Sequence, residues 1–172
     1  MATISITQDQ LFLAVWTYLT SIIDCPVIRG LQNRTPEPLG DFIVMTPLFQ
    51  KRLSTNENSF SDPTPTTGTQ NSQQSIQWTV QLDCHGMAAA NRAAILTTLL
   101  RDSAGCDGLA PLVQPLYCED PHQMPFINGE QQYEEVWSID AVFQYNPVVT
   151  TPMQFFATAT VGIIEVDVTY PP

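Results

Sequence analysis

Apolar positions recur along this chain at two spacings, and the spacing changes where turn residues gather. Phe12, Val15, Trp16, Leu19, Ile22 and Ile23 follow a helical period between Thr7 and Asp24. Thr7 with Gln10 three residues later fits a capping box, and Asp9 suits the positive end of the helix dipole. Pro26 opposes continuation past Cys25. Val27–Gly30 is a short strand candidate, followed by a turn-rich stretch with two prolines up to Gly40. Asp41–Gln50 reads as a strand with Phe42 and Val44 on one face and Ile43 and Met45 on the other. Apolar faces on both sides predict a central position, and Pro47 marks a bend or an edge in its second half. Ile76, Trp78, Val80, Leu82 and Cys84 alternate with Gln77, Thr79, Gln81 and Asp83, a strand with one core face.

His85–Gly105 predicts a second helix, with Met87, Ala90, Ala94, Leu96, Leu99 and Leu100 available for packing. Cys106–Gln132 is Pro-rich without a clear period and reads as ordered loop. Val136–Tyr145 alternates with Trp137, Ile139, Ala141, Phe143 and Tyr145 inward. Ala157–Tyr170 closes the chain as a strand, with Ile164, Val166, Val168 and Tyr170 on one face and Glu165, Asp167 and Thr169 on the other. Strands adjacent in sequence favour antiparallel pairing. The expected class is α+β: a two-layer sandwich, mainly antiparallel, with a four- to five-stranded sheet and two helices on one face. Its 172 residues suit one domain.

Between the two best strand patterns lies Ser54–Ser75, rich in Thr, Ser, Gln, Pro, Asn and Gly, with Phe60 its one aromatic. Compact domains rarely contain so long a connection, and this composition buries too little apolar area to offset its own ordering entropy. Two readings stand: a mobile surface loop, or a long projecting β-hairpin arm at about residues 50–76 whose tip orders against another chain.

Charge narrows the function classes. Charged residues make up 13% of the chain, about half the 25% of an average protein. A surface of uncharged polar groups is cheaper to bury against protein than an ionic one. The net charge is −11, with one Lys and five Arg scattered from Arg29 to Arg101, so phosphate-driven binding to nucleic acid or to an anionic membrane is excluded as a main activity. No secretory signal and no apolar run of about twenty residues is visible, so the four cysteines, Cys25, Cys84, Cys106 and Cys118, are expected to be reduced.

Candidate chemistry is sparse. Cys84 beside His85 imitates a nucleophile and base, but neighbours on a strand point to opposite faces, and a buried inert thiol is the plainer reading. Cys106, Cys118 and His122 could supply zinc ligands, yet no C-x-x-C pair anchors them. Glu119, Asp120, Glu130, Glu134 and Glu135 could mimic an acid/base pair, though loop carboxylates are mostly solvated. No phosphate loop, dinucleotide fingerprint or hydrolase motif is present. A small hydrolase or a metal-binding protein is the weaker alternative; no catalytic residue, cofactor or metal is expected.

The segments VIRGLQNRTPEPLGDFIVMTPLFQKRLSTN, QWTVQLDCHG, LYCEDPHQMPFINGEQQYEEVWSIDAVFQYNP and the terminal DVTYPP resemble those of phage neck and tail-terminator proteins, in order over most of the chain. The resemblance implies a structural virion protein, assembled in the host cytoplasm, forming a homo-oligomeric ring of six at the head–tail junction. Such a ring caps the tail tube, stops polymerisation and presents a surface to the head connector, with tube, sheath and connector proteins as partners. A neighbouring role, an adaptor ring nearer the portal, is the alternative. DNA passes through the lumen unbound, which acidic walls favour. Sheet edges and the arm would pair with neighbouring subunits, making Lys51, Arg52, Leu53, Phe60, Gln73, Gln74, Gln77 and Gln81 the expected subunit-interface residues.

Overall fold

The computed structural model describes residues 1–33, 36, 38–62, 64, 67–127, 133–155 and 162. In chain order the elements are β1 (Thr3–Ile4), α1 (Gln8–Ile22), β2 (Val27–Arg29), β3 (Phe42–Arg52), β4 (Glu57–Ser61), β5 (Gly68–Gln73) and β6 (Ile76–His85). They continue with α2 (Ala89–Leu100), α3 (Ser103–Leu109), β7 (Gln114–Cys118), β8 (His122–Ile127), β9 (Tyr133–Tyr145) and β10 (Val148–Met153). Apart from Gly162, the expected strand at Ala157–Tyr170 lies outside the described residues.

A six-stranded sheet runs β2-β3-β6-β9-β7, with β8 also on β9. All its pairs are antiparallel except β2 with β3. One face is apolar by strict alternation: Ile43 and Met45 of β3, Trp78, Val80, Leu82 and Cys84 of β6, and Ile139, Ala141, Phe143 and Tyr145 of β9. All three helices pack on that face, through Leu11, Phe12, Val15, Tyr18 and Leu19 of α1, Ala89, Ala93, Leu96 and Leu100 of α2, and Leu109 of α3. Trp78 lies at the centre, edge-on to Phe12 at 5.3 Å and tilted against Phe143 at 5.9 Å. The α+β two-layer architecture is the expected one, with six strands and a third helix.

Local chemistry explains the boundaries. Thr7 accepts from Gln10 N while the Gln10 side chain accepts from Thr7 N, closing the predicted box at α1. Pro47 is where the β3–β6 register shifts, before Phe49. The expected second helix is two: it ends at Leu100, and Asp102 caps α3 by accepting from Ser103 N. The packing face of α2 also differs from the expected one. Met87 precedes the helix and is almost wholly exposed, Ala94 is exposed, and Ala93 and Thr97 are buried instead. An Ala-rich run with a single charge, Arg92, has no polar stripe to fix its rotation in advance. Trp16, expected in the core, stands at the side of α1 and donates Nε1–H to Val27 O at 3.0 Å, occupying part of the β2 edge.

The stretch read as loop from Cys106 holds the end of α3, then β7 and β8, which share the outer edge of β9, opposite 141–144 and 133–138 respectively. Pro115 and Pro125 fall inside these two strands. Proline is tolerated there because the strands are edges, and it erases the alternation that would have revealed them.

Candidate interaction surface

The three central strands do not stop where the core stops. β3 continues after a bend into β4, β6 is preceded by β5, and β9 continues into β10. The second sheet therefore runs β1-β10-β5-β4, repeating the order of the strands that feed it. The bend stays hydrogen-bonded: Leu53 N donates to Ser75 O at 2.9 Å, Ser75 N to Ser54 Oγ at 3.2 Å and Gln74 N to Pro147 O at 3.3 Å. Gln74 Nε2 reaches Asn56 Oδ1 at 2.8 Å. Strand pairing, not a core, orders the described part of the polar segment. Its partner β10 comes from the far end of the chain, which a reading of the segment alone cannot show.

The small sheet has two unlike faces. Thr3, Glu57, Ser59, Thr69, Asn71, Gln73 and Thr150 share one; Ile4, Phe60, Gln70, Ser72, Val149 and Met153 share the other. Ile4, Phe60, Val149 and Met153 are exposed large apolar side chains, Phe60 at 57%. Amides and hydroxyls pair across the strands: Ser72 Oγ donates to Asn58 Oδ1 at 2.8 Å and Thr150 Oγ1 to Asn71 Oδ1 at 2.7 Å.

The expected interface residues fall into three groups along this ribbon. Lys51, Gln77 and Gln81 share the helix-free face of the large sheet, with Lys51 directly opposite Gln77. Arg52, Leu53 and Gln74 sit at the bend, and Phe60 and Gln73 lie on opposite faces of the small sheet. Gln74 and Gln81 are already engaged within the chain, Gln81 donating to Asp83 at 2.8 Å. The sequence did not point to Ile4, Phe49, Val149 or Met153, because isolated apolar residues among Thr and Gln give no period.

Charge separates the root of the small sheet from the rest. Arg29 pairs with Asp9 at 2.7 Å, Arg101 with Asp120 at 2.7 Å, and Arg92 with Asp41 at 2.8 Å and Asp24 at 3.2 Å. Among the described residues, Lys51 and Arg52 form no ion pair, and both are exposed. Two uncompensated cations thus stand together on a chain of net charge −11.

The candidate catalytic groups are dispersed. Cys84 faces the helices, and burial pushes its thiol up to about 12. His85 is on the opposite face, stacked on Phe42 at 4.3 Å with Nδ1 3.8 Å from Glu134 Oε1. Cys118 is buried, its thiol pushed up to about 11 by desolvation, whereas Cys106 is exposed on α3. Among the described residues no three His, Cys, Asp or Glu side chains are grouped to hold a metal ion. Glu119 and Asp120 are exposed, Glu134 and Glu135 half-buried, and Glu130 lies outside the described residues. Asp140, on the helix-free face, is raised above the usual carboxylate range by desolvation and then by Glu119. Among the described residues no helix is long and apolar enough to cross a membrane.

A comparison with protein families matches residues 9–171 to phage neck terminator protein. The chain belongs to the phage neck terminator family. This family is one of structural neck proteins, which places the chain in the virion, working with other tail and head proteins. A search of curated proteins returns no match.

Proposed function

We propose that this chain is a single terminator domain whose arm, at about residues 50–76, helps to close a homo-oligomeric ring of six at the head–tail junction. The ring caps the tail tube, ends its polymerisation and offers the surface to which the head connector joins, while DNA passes through an acidic lumen. It works without catalysis or cofactor, and it is assembled in the host cytoplasm. The observation that carries this reading is the small sheet, whose Ile4, Phe60, Val149 and Met153 are exposed and stand outside the core formed by the described residues. A head-to-tail ring needs two different patches per subunit. The arm with its cationic root, Lys51, Arg52, Leu53, Phe60, Gln73 and Gln74, extended by Gln77 and Gln81 on the large sheet, is the proposed first patch. An acidic surface of the next copy would complement it. The test is phage assembly without the protein: tails of uncontrolled length are expected. Normal-length tails that fail to join filled heads would overturn the terminator role in favour of an adaptor.

A further inference from the structure

The outward face of α2 carries no charge. Asn91, Ala94, Ile95 and Thr98 recur along it at helical spacing and all are exposed, Ile95 at 44%. Ala94, Ile95, Thr98 and the half-buried Leu99 line a shallow apolar groove there. A helix that covers a core normally turns its charged residues to water. In α2 the one charged residue, Arg92, is instead held inward between Asp41 and Asp24, its side chain only 11% exposed.

This stripe runs into an acidic corner. One turn beyond Thr98 stands Asp102, and its neighbour Arg101 ties the corner to the end of β7. Arg101 Nε donates to Cys118 O at 2.9 Å and Nη2 to Asp120 Oδ1 at 2.7 Å. Asp102, Glu119 and Asp120 are all exposed, and Arg101 pairs with Asp120. Among the described residues, Asp102 and Glu119 pair with no cation.

We propose that the outward face of α2, ending in Asp102 and Glu119, is the surface on which the small sheet of the next copy docks. This rests on the ring reading and names the second patch that a head-to-tail ring requires. The chemistry matches in kind and in order. The small sheet has an apolar face with Ile4, Phe60 and Val149, and its root carries two cations without partners, Lys51 and Arg52. Ala, Ile and Thr are also cheaper to cover than ions. The spacing matches too. Asp102 lies about 6 Å along the axis from Thr98 and about 12 Å from Ala94. On the arm, the bond from Leu53 N to Ser75 O marks the root, and Ser72 stands in one row with Val149 and Ile4. Three residues separate that row from the root, about 10 Å. With the cations at Asp102, Ile4 and Val149 therefore fall on Ile95 and its neighbours. Another exposed apolar helix face, Leu13 and Trp16 of α1, is flanked by Asp9 and Arg29, which already neutralise each other.

The test is an exchange of charge between two full-length variants, Lys51→Glu with Arg52→Glu and Thr98→Lys with Glu119→Lys, all at exposed positions. Light scattering across a concentration series should show each variant alone self-associating at least about tenfold more weakly than the wild type. An equimolar mixture should recover wild-type assembly, in particles holding both variants in equal amounts, which also shows that both are folded. A mixture as weak as its components would overturn the proposal. Wild-type assembly by Thr98→Lys with Glu119→Lys would overturn it in favour of another neck protein on α2, leaving the ring reading intact. Wild-type chains that stay single at every concentration would overturn the ring reading and this docking with it. Ile95→Asp probes the apolar half alone and should weaken assembly by at least about tenfold; unchanged assembly would overturn the proposal.

Discussion

Replacing Gly86 with Ala should be among the most costly single-methyl changes in this protein. Gly86 joins β6 to α2 at φ +97°, a region where an L side chain is strained. A Cβ there would fall 1.9 Å from Asp41 Oδ1 and 3.0 Å from Asp41 Cα. Asp41 cannot yield freely. Its carboxylate is held below the usual range, first by the Arg92 side chain and then by the backbone N–H groups of Met87 and Ala88. Arg92 Nη1 lies 2.8 Å from it, on a side chain only 11% exposed. The conformational strain costs about 1–2 kcal/mol. Displacing a carboxylate that is one-third exposed from charged hydrogen bonds adds about 1–2 kcal/mol, the low end for such bonds. Urea unfolding at pH 7 should therefore show a loss of about 2–4 kcal/mol. In an Asp41→Ala background the same substitution should cost less, about 1–2 kcal/mol, because the backbone strain and the close approach to the Cα of residue 41 remain while the carboxylate is gone. The folded pKa of Asp41 is depressed, so its contribution is full above the unfolded value of about 4 and disappears as pH falls through the folded value. A neutral Gly86→Ala, or one equally costly with and without Asp41, would refute the reasoning.

Asp140 should behave in the opposite sense. Its folded pKa is raised, so the wild type loses stability as pH climbs from the unfolded value through the folded one, and Asp140→Asn should be stabilising at pH 7. That gain should vanish below about pH 4, as urea midpoints at several pH values would show. Thiol titration of the native protein at pH 8 should label Cys106 first and leave Cys84 and Cys118, pushed up to about 12 and 11, unreacted until unfolding. Lys51→Glu with Arg52→Glu should change monomer stability by no more than about 0.5 kcal/mol yet weaken self-association by at least about tenfold. Light scattering across a concentration series would measure it.

The body of the fold was legible because its strands keep an unbroken alternation where they face helices. Trp78, Val80, Leu82 and Cys84 are all core residues, as are Ile139, Ala141, Phe143 and Tyr145. Thr7 and Gln10 announced α1 in the same local way. What stayed hidden depends on partners distant in sequence. β4 and β5 contain almost no apolar residues and are strands because β10, some eighty residues later, pairs with β5. The same holds for β1, two residues long and set by Val149 and Thr150. Of the interaction surface, Phe60 stood out as the lone aromatic of a polar segment. Ile4 and Met153 did not, because only the folded register brings them to its face. The cationic root at Lys51 and Arg52 became distinct only when the other described arginines proved to be paired.

The ring itself is the central claim, and the mass and shape of the purified full-length protein test it most directly. Light scattering with negative-stain imaging at rising concentration should give closed rings of six copies, which Phe60→Asp converts to monomers without unfolding them. Compact single chains at every concentration, both free and in the presence of tail tubes, would contradict it.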